Sequence, residues 1–74
     1  MPMNASDNVL LGLKAVRDCN QADILNYKEV YHYAMKMGFY ETALWIKENK
    51  SNFVFYMLQM DWDKIPSIFE EDFL

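Results

Sequence analysis

Two residues in this sequence have side chains that could do nucleophilic or acid–base chemistry and occur only once each: His32 and Cys19. A catalytic histidine needs a nucleophile or a carboxylate that converges on it, and the helical pattern around His32 places none on the same face. We therefore expect no catalytic role for His32. We interpret Cys19 as a small, buried apolar group.

The sequence also lacks the motifs that bind cofactors and metals. It contains no phosphate-binding loop, no Gly-x-Ser-x-Gly elbow and no Cys or His spacing typical of a metal site. The single cysteine excludes an internal disulfide and fits a reducing compartment. We expect a protein that is not an enzyme and has neither a cofactor nor a bound metal.

Length and composition predict one small, folded domain. The 74 residues are 53% hydrophobic and 16% aromatic, which excludes a disordered chain. So much aromatic surface is hard to bury in a body of this size, and an exposed aromatic patch commonly marks a partner site. We expect a single helical domain over residues 1–74 with a frayed segment 1–7. No signal-peptide pattern or membrane-spanning apolar run is visible, so we expect an intracellular, cytoplasmic protein without membrane contact.

The net charge of −4 lies at one end of the chain. Residues 1–60 contain six acidic and six basic side chains, so the excess negative charge comes from residues 61–74. Binding to nucleic acid through its phosphates requires the opposite sign. The charge pattern therefore disfavours direct nucleic-acid binding and favours either a protein partner with a basic surface or mimicry of nucleic-acid charge.

The elements that would position a site are centred on segment 26–49, where two helical patterns meet at Gly38. Asn26 and Glu29 have the spacing at which an amide and a carboxylate satisfy each other's backbone donors at a helix start. Apolar residues then recur at helical spacing as far as Met37. Gly38 favours the left-handed conformation that ends a helix, and a second helix follows at once. We predict two antiparallel helices that share a face.

The same segment resembles a known repeat. In residues 30–41, VYHYAMKMGFYE, a histidine precedes a small residue, a glycine follows six residues after the histidine, and an apolar–Glu pair comes next. This pattern resembles an ankyrin unit, and the resemblance implies that His32 bonds the backbone at a turn. Residues 38–44 are also similar to the turn of a tetratricopeptide unit. Lys47 and Lys50 stand where that second pattern requires a bulky and a small residue, so the ankyrin resemblance is favoured.

Further helical patterns flank this hairpin. The first helix contains Gly12, which weakens a helix and would be explained by a close approach of another helix. A short second helix is predicted through residues 22–25, and the apolar run 53–60 is predicted to be the most buried helix. A last helix is predicted around Pro66, which lies either in the first turn of a helix capped by Asp63 or just before one capped by Ser67.

A shift of the chain by 23 residues aligns the hairpin with the later part of the sequence, pairing Tyr33 with Tyr56 and Phe39 with Trp62. This alignment suggests a second hairpin stacked on the first, with a spacing too short for the extended fingers of ordinary ankyrin units. The predicted fold is all-α, a small stack of about five to six short antiparallel helices in ankyrin-like hairpins without extended fingers.

Phe39 and Trp62 are the central residues of the predicted partner-binding edge, because both directly follow an inter-helix turn in this alignment. Aromatic anchors beside methionines and acidic groups suit a protein interface. The alternative is that each aromatic ring packs into its own hairpin and that the acidic end is only solvated surface. The other predicted members of the edge are Met37, Met60, Asp61, Asp63, Glu70, Glu71 and Asp72.

The leading functional hypothesis is a non-enzymatic interaction module that acts as a small inhibitor or adaptor. By analogy with small viral and phage proteins that block host factors, its target would be a host protein. Two alternatives stay open. The chain could be a subunit of a larger complex or a self-associating dimer that covers its own aromatic residues. A helix-turn-helix nucleic-acid binder is the weaker alternative, because the candidate helices are acidic or neutral.

Overall fold

A computed structural model describes residues 5–65 of the chain. In that range four α-helices follow one another: α1 (Asp7–Cys19), α2 (Tyr27–Lys36), α3 (Tyr40–Glu48) and α4 (Phe53–Gln59). Short 3₁₀ turns, Lys50–Asn52 and Trp62–Lys64, precede and follow α4. Residues 5–65 contain no β-strand, so the prediction of an all-α fold is confirmed.

Helix α1 begins inside the segment that the sequence suggested would be frayed. Ser6 is its N-cap, and the Ser6 hydroxyl accepts a hydrogen bond from the Val9 amide at 3.3 Å. The helix ends at Asn20, whose backbone is left-handed with φ of 60°, a conformation that asparagine tolerates better than most residues. Residues 1–4 lie outside the described part.

The α2–α3 hairpin is joined at Gly38, as predicted. Gly38 has φ of 88° and donates its amide to the Met35 carbonyl at 3.1 Å. The Phe39 amide reaches back to the Ala34 carbonyl at 2.8 Å. These two bonds form a Schellman motif, which satisfies carbonyl groups that the end of α2 would otherwise leave unpaired. The chain then enters α3 at Tyr40.

The start of α2 differs in detail from the predicted reciprocal cap. The Asn26 side chain accepts from the Lys28 amide at 3.1 Å, as an N-cap residue should. The Glu29 carboxylate, however, accepts from the Asp23 amide at 3.0 Å rather than from the Asn26 amide. Glu29 therefore ties the preceding loop to α2 instead of closing a local capping box.

The core lies where α1, α2 and α3 meet, and α4 covers one side of it. Its largest fully buried apolar side chains come from all four helices: Leu13, Val16, Val30, Ile46 and Phe53.

Helices α1 and α3 approach closely at Gly12, as the glycine suggested. The Thr42 hydroxyl, which is buried, donates to the Val9 carbonyl at 3.1 Å. A Cβ atom added at Gly12 would overlap that hydroxyl and lie 2.9 Å from the Thr42 Cβ. At the N-terminal ends of both helices, the Glu41 carboxylate accepts from Ser6 at 3.0 Å and from Asn8 at 3.2 Å. Helices α1 and α3 therefore start at the same end of the molecule.

The predicted short helix at residues 22–25 does not form. The Asp23 side chain accepts from the Leu25 amide at 3.0 Å, and the Asn26 amide bonds the Asp23 carbonyl at 2.9 Å. Such local side-chain bonds offer the backbone an alternative to a helix. In residues 5–65 four α-helices and two 3₁₀ turns replace the predicted larger number of helices. The helix predicted after Pro66 lies outside the described residues.

Candidate interaction surface

Helix α4 has one buried and one exposed face, although its sequence is apolar almost throughout. Phe53 and Met57, four residues apart, point into the core and are 1% and 2% exposed. On the opposite face, Val54, Phe55 and Leu58 are 45%, 58% and 70% exposed. Residues three and four apart are neighbours on a helix surface, so these three side chains form one apolar patch. We call this patch the α4 outer face.

Packing holds α4 in place, because its own helical propensity and capping are weak. The helix has seven residues, and its N-cap residue, Asn52, makes no capping hydrogen bond through its side chain. Isolated helices of this length are unstable in water. The Phe53 ring meets the Tyr27 ring edge-on at 6.4 Å between centroids. Tertiary contacts of the inner face therefore fix the orientation of the outer face.

A row of aromatic rings connects the surface to the core. The Phe55 ring lies 5.9 Å from the Tyr56 ring, and the Tyr56 ring lies 5.8 Å from that of Trp45, which is buried. Aromatic pairs at such distances add stabilisation beyond their buried area. The exposed Phe55 side chain is thus supported by neighbouring rings, as a preorganised interface residue would be.

The prediction that this segment forms the most buried helix is wrong. In a small protein, a helix at the edge of the core can bury only the stripe that faces the other helices. The sequence provides apolar residues on the remaining faces too, and these stay exposed to solvent. The α4 outer face is therefore an apolar surface that the described fold leaves exposed.

The predicted edge residues Phe39, Trp62, Met37 and Met60 are all partly buried and pack against the core. The Cβ of Phe39 lies next to Gly12 of α1, at 3.1 Å from the Cβ position that glycine lacks. Trp62 lies under the Arg17 guanidinium, which is 5.0 Å from the ring centroid. The two aromatic residues thus each pack beside α1, Phe39 at Gly12 and Trp62 at Arg17.

The acidic members of the edge divide into two groups. Asp61 and Asp63 are exposed directly after α4, and Asp61 forms a 3.8 Å ion pair with Lys64. The backbone here is anchored to α1 because the Trp62 carbonyl accepts from the Lys14 ammonium at 2.6 Å. Glu70, Glu71 and Asp72 lie outside the described residues.

The comparisons with known proteins give no family for this chain. No protein-family model matches the sequence, and no curated protein or solved structure shows significant similarity to it. The resemblance of segment 26–49 to an ankyrin unit therefore rests on its own residues.

The two residues that were considered for chemistry are His32 and Cys19. His32 is exposed, and its ring meets the Tyr33 ring edge-on at 5.1 Å. In residues 5–65 the His32 side chain makes no hydrogen bond to the backbone, so the predicted turn bond is not formed there. Cys19 is half-buried with a free thiol.

Over residues 5–65, no group of three or more His, Cys, Asp or Glu side chains is arranged to hold a metal ion. None of the described helices combines the length and the apolar character needed to cross a bilayer.

The α4 outer face is not evident from the sequence, because the apolar pattern assigns the whole run 53–60 to the core. One signal pointed to it: Val54, Phe55 and Leu58 fall on one side of a helical wheel, with Phe53 and Met57 on the other. The wheel separates two apolar faces, but it does not show which of them faces the core.

Proposed function

We propose that this chain is a non-enzymatic protein-binding module that contacts its partner through the α4 outer face. The main support is one observation: three large apolar side chains lie together on one helix face and are 45 to 70% exposed. Contiguous exposed apolar surface of this kind commonly marks a protein interaction site. Phenylalanine is also enriched in interfaces.

The α4 outer face would form the centre of a larger contact. A standard protein interface takes about 20 to 30 residues from each side, many more than this helix provides. A few apolar anchors commonly supply most of the binding energy, while the surrounding contacts exclude water. Phe55 and Leu58, the most exposed of the three, are the proposed anchors.

The charge next to this face supports a partner with a basic surface. Asp61 and Asp63 follow α4 directly and are both exposed. Opposite charges around an apolar centre speed association and select the orientation of the partner. We propose a partner that presents an apolar ridge or pocket flanked by lysine or arginine.

More specifically, we propose a small inhibitor or adaptor that acts in the cytoplasm on a larger protein; by analogy, it would be a viral or phage protein with a host target. The α2–α3 hairpin would be its one ankyrin-like unit, and α1 and α4 would cover the two sides of that hairpin. The support for the hairpin is the Gly38 turn together with the ankyrin-like pattern in residues 30–41.

The proposal is tested by affinity capture from a cell lysate with the wild-type chain and two matched variants. Phe55→Gln/Leu58→Gln removes the apolar groups of the α4 outer face. Tyr40→Gln/Leu44→Gln makes the same kind of change on α3, where both residues are also exposed. Circular dichroism and urea unfolding should show that both variants fold.

A protein that the wild type and the α3 variant retain, and that the α4 variant loses, supports the proposal. Equal capture by all three chains contradicts it. Self-association is the alternative occupant of the same face. Sedimentation at several concentrations detects it as a dimer that dissociates in the α4 variant.

A further inference from the structure

A second surface lies between the start of α2 and the end of α3. Its chemical character differs from that of the α4 outer face. It is a groove of about 310 Å³ that has an apolar floor and a basic rim. We call it the tyrosine–lysine groove. Its lining residues are Tyr27, Lys28, Tyr31, Ile46, Lys47 and Lys50.

Within residues 5–65, the rim carries positive charges that no carboxylate pairs with. Lys28, Lys47 and Lys50 are exposed, and no acidic residue is among those that line the groove. Among residues 5–65 the ion pairs are formed by Arg17 and Lys64, so none of these three ammonium groups has a carboxylate within pairing distance there. Three unpaired positive charges around one groove are notable in a chain whose net charge is −4.

The walls and floor of the groove are apolar and rigid. Ile46 is fully buried, and Tyr27 and Tyr31 are half-buried. The Tyr27 ring packs edge-on against the Phe53 ring of α4. Neither tyrosine hydroxyl makes a hydrogen bond within the described part of the chain. Each ring therefore offers an apolar wall with a free polar tip, a combination that is common in binding sites.

The hairpin itself builds this arrangement. Tyr27 and Tyr31 are four residues apart on α2 and so lie on one face of it. Lys47 lies in the last turn of α3, and Lys50 begins the 3₁₀ turn that follows. The Gly38 turn makes α2 and α3 antiparallel, so the start of one helix meets the end of the other.

We propose that the tyrosine–lysine groove binds a short acidic peptide segment of a partner protein. The carboxylates of the peptide would pair with the lysines, and one aromatic or aliphatic side chain would lie between the Tyr27 and Tyr31 rings. The positive rim favours an acidic ligand, and the apolar tyrosine walls favour an apolar side chain next to the acidic groups. A purely ionic ligand would make no contact with the tyrosine rings.

The size and charge of the groove favour a peptide over a nucleic acid. Nucleic-acid binding proteins neutralise about six to ten phosphates along a basic track, whereas the groove has three lysines in a protein of net negative charge. The groove volume lies at the lower end of the range for small-ligand pockets, about 300 to 1,000 Å³. That space suits one side chain and its neighbouring carboxylates.

The test measures binding of a fluorescent peptide of alternating phenylalanine and glutamate to the full chain by anisotropy. Lys47→Gln/Lys50→Gln removes two charges from the rim. Lys36→Gln/Lys64→Gln makes the same change in net charge elsewhere, since Lys36 lies over the Tyr33 ring and Lys64 pairs with Asp61. All four lysines are exposed, so both variants should fold.

The rim variant should bind the peptide about tenfold more weakly, which corresponds to about 1.4 kcal/mol. The control variant should stay within about twofold of the wild type, because distant surface charges are largely screened at physiological salt. A peptide with glutamine in place of glutamate, or alanine in place of phenylalanine, should also lose most of its affinity.

Several outcomes would overturn the proposal. Equal weakening in both lysine variants would indicate a general charge effect, and no weakening in the rim variant would place the site elsewhere. Binding of the glutamine peptide as tightly as the glutamate peptide would remove the anionic recognition. Stronger competition by a single-stranded oligonucleotide than by free peptide would indicate nucleic acid instead. The Phe55→Gln/Leu58→Gln variant should bind the peptide normally, so failure of this proposal and failure of the α4 interface are distinguishable.

Discussion

Replacement of Gly12 by alanine tests the close approach of α1 and α3, on which the core depends. In an exposed helix this change stabilises a protein by about 1 kcal/mol, because alanine has the higher helix propensity. Here the new Cβ would overlap the Thr42 hydroxyl and lie 3.1 Å from the Phe39 Cβ. Thr42 is only 1% exposed, so a shift of its side chain would disturb buried contacts.

The cost can be worked out from these contacts. Added volume in a packed core costs about 1 to 3 kcal/mol. Displacement of the Thr42 hydroxyl would break its 3.1 Å bond to the Val9 carbonyl, and a buried polar group left unpaired costs about 1 to 3 kcal/mol more. After the gain in propensity is subtracted, Gly12→Ala should destabilise the protein by about 3 kcal/mol, the middle of a range of about 1 to 5 kcal/mol. A domain of this size would lose about 10 °C or more in melting temperature.

Urea unfolding followed by circular dichroism measures this loss. The double variant Gly12→Ala/Thr42→Ala provides a control, because it removes the hydroxyl that the new methyl group would overlap. Its destabilisation should be smaller than the sum of the two single variants by about 1 kcal/mol, the coupling expected for residues in contact. The rescue is only partial, since the two Cβ atoms would still be 2.9 Å apart. An unfolding midpoint of Gly12→Ala equal to or above that of the wild type would refute the helix contact.

Two further predictions concern the start of α3 and the turn before it. Gly38→Ala meets no neighbouring atom, but φ of 88° is strained for alanine. We expect it to destabilise the protein by about 1 to 2 kcal/mol, and Gly38→Asn by less; equal urea midpoints for both variants would contradict a conformational cause. Glu41→Gln removes the charge that accepts from Ser6 and Asn8 in the first turn of α3. We expect a loss of about 0.5 to 1 kcal/mol at low salt that shrinks at high salt; a loss independent of salt would argue against the electrostatic explanation.

The sequence predicted the central hairpin well because its signals are local. The Gly38 turn and the Asn26 cap each depend on residues within one or two helical turns, and both are observed. The role of Gly12 was also predicted, since a glycine inside a helix requires a packing reason. Thr42, the residue that provides this reason, could not be identified without the fold.

The errors arose where the outcome depends on competing or distant contacts. Asp23 has a plausible position for a helix start, but its side chain and the Glu29 carboxylate bond the loop backbone instead. The burial of α4 depends on how many helices surround it, which an apolar run does not encode. Lys28 lies 19 residues before Lys47 and 22 before Lys50, so only the pairing of α2 with α3 brings it near them.

The composition and the structure together explain why this small protein has an apolar surface at all. A short chain buries a smaller fraction of its surface than a long one, so its core can take in only part of a strongly apolar sequence. In the described residues that core is filled mainly by α1, α2, α3 and the inner face of α4. Val54, Phe55 and Leu58 stay exposed, so their apolar groups contribute little to the free energy of folding. Polar residues at these three positions would therefore cost little stability. The presence of these apolar groups on one face, supported by the Tyr56 and Trp45 rings, is the reason to look for a partner there before anywhere else.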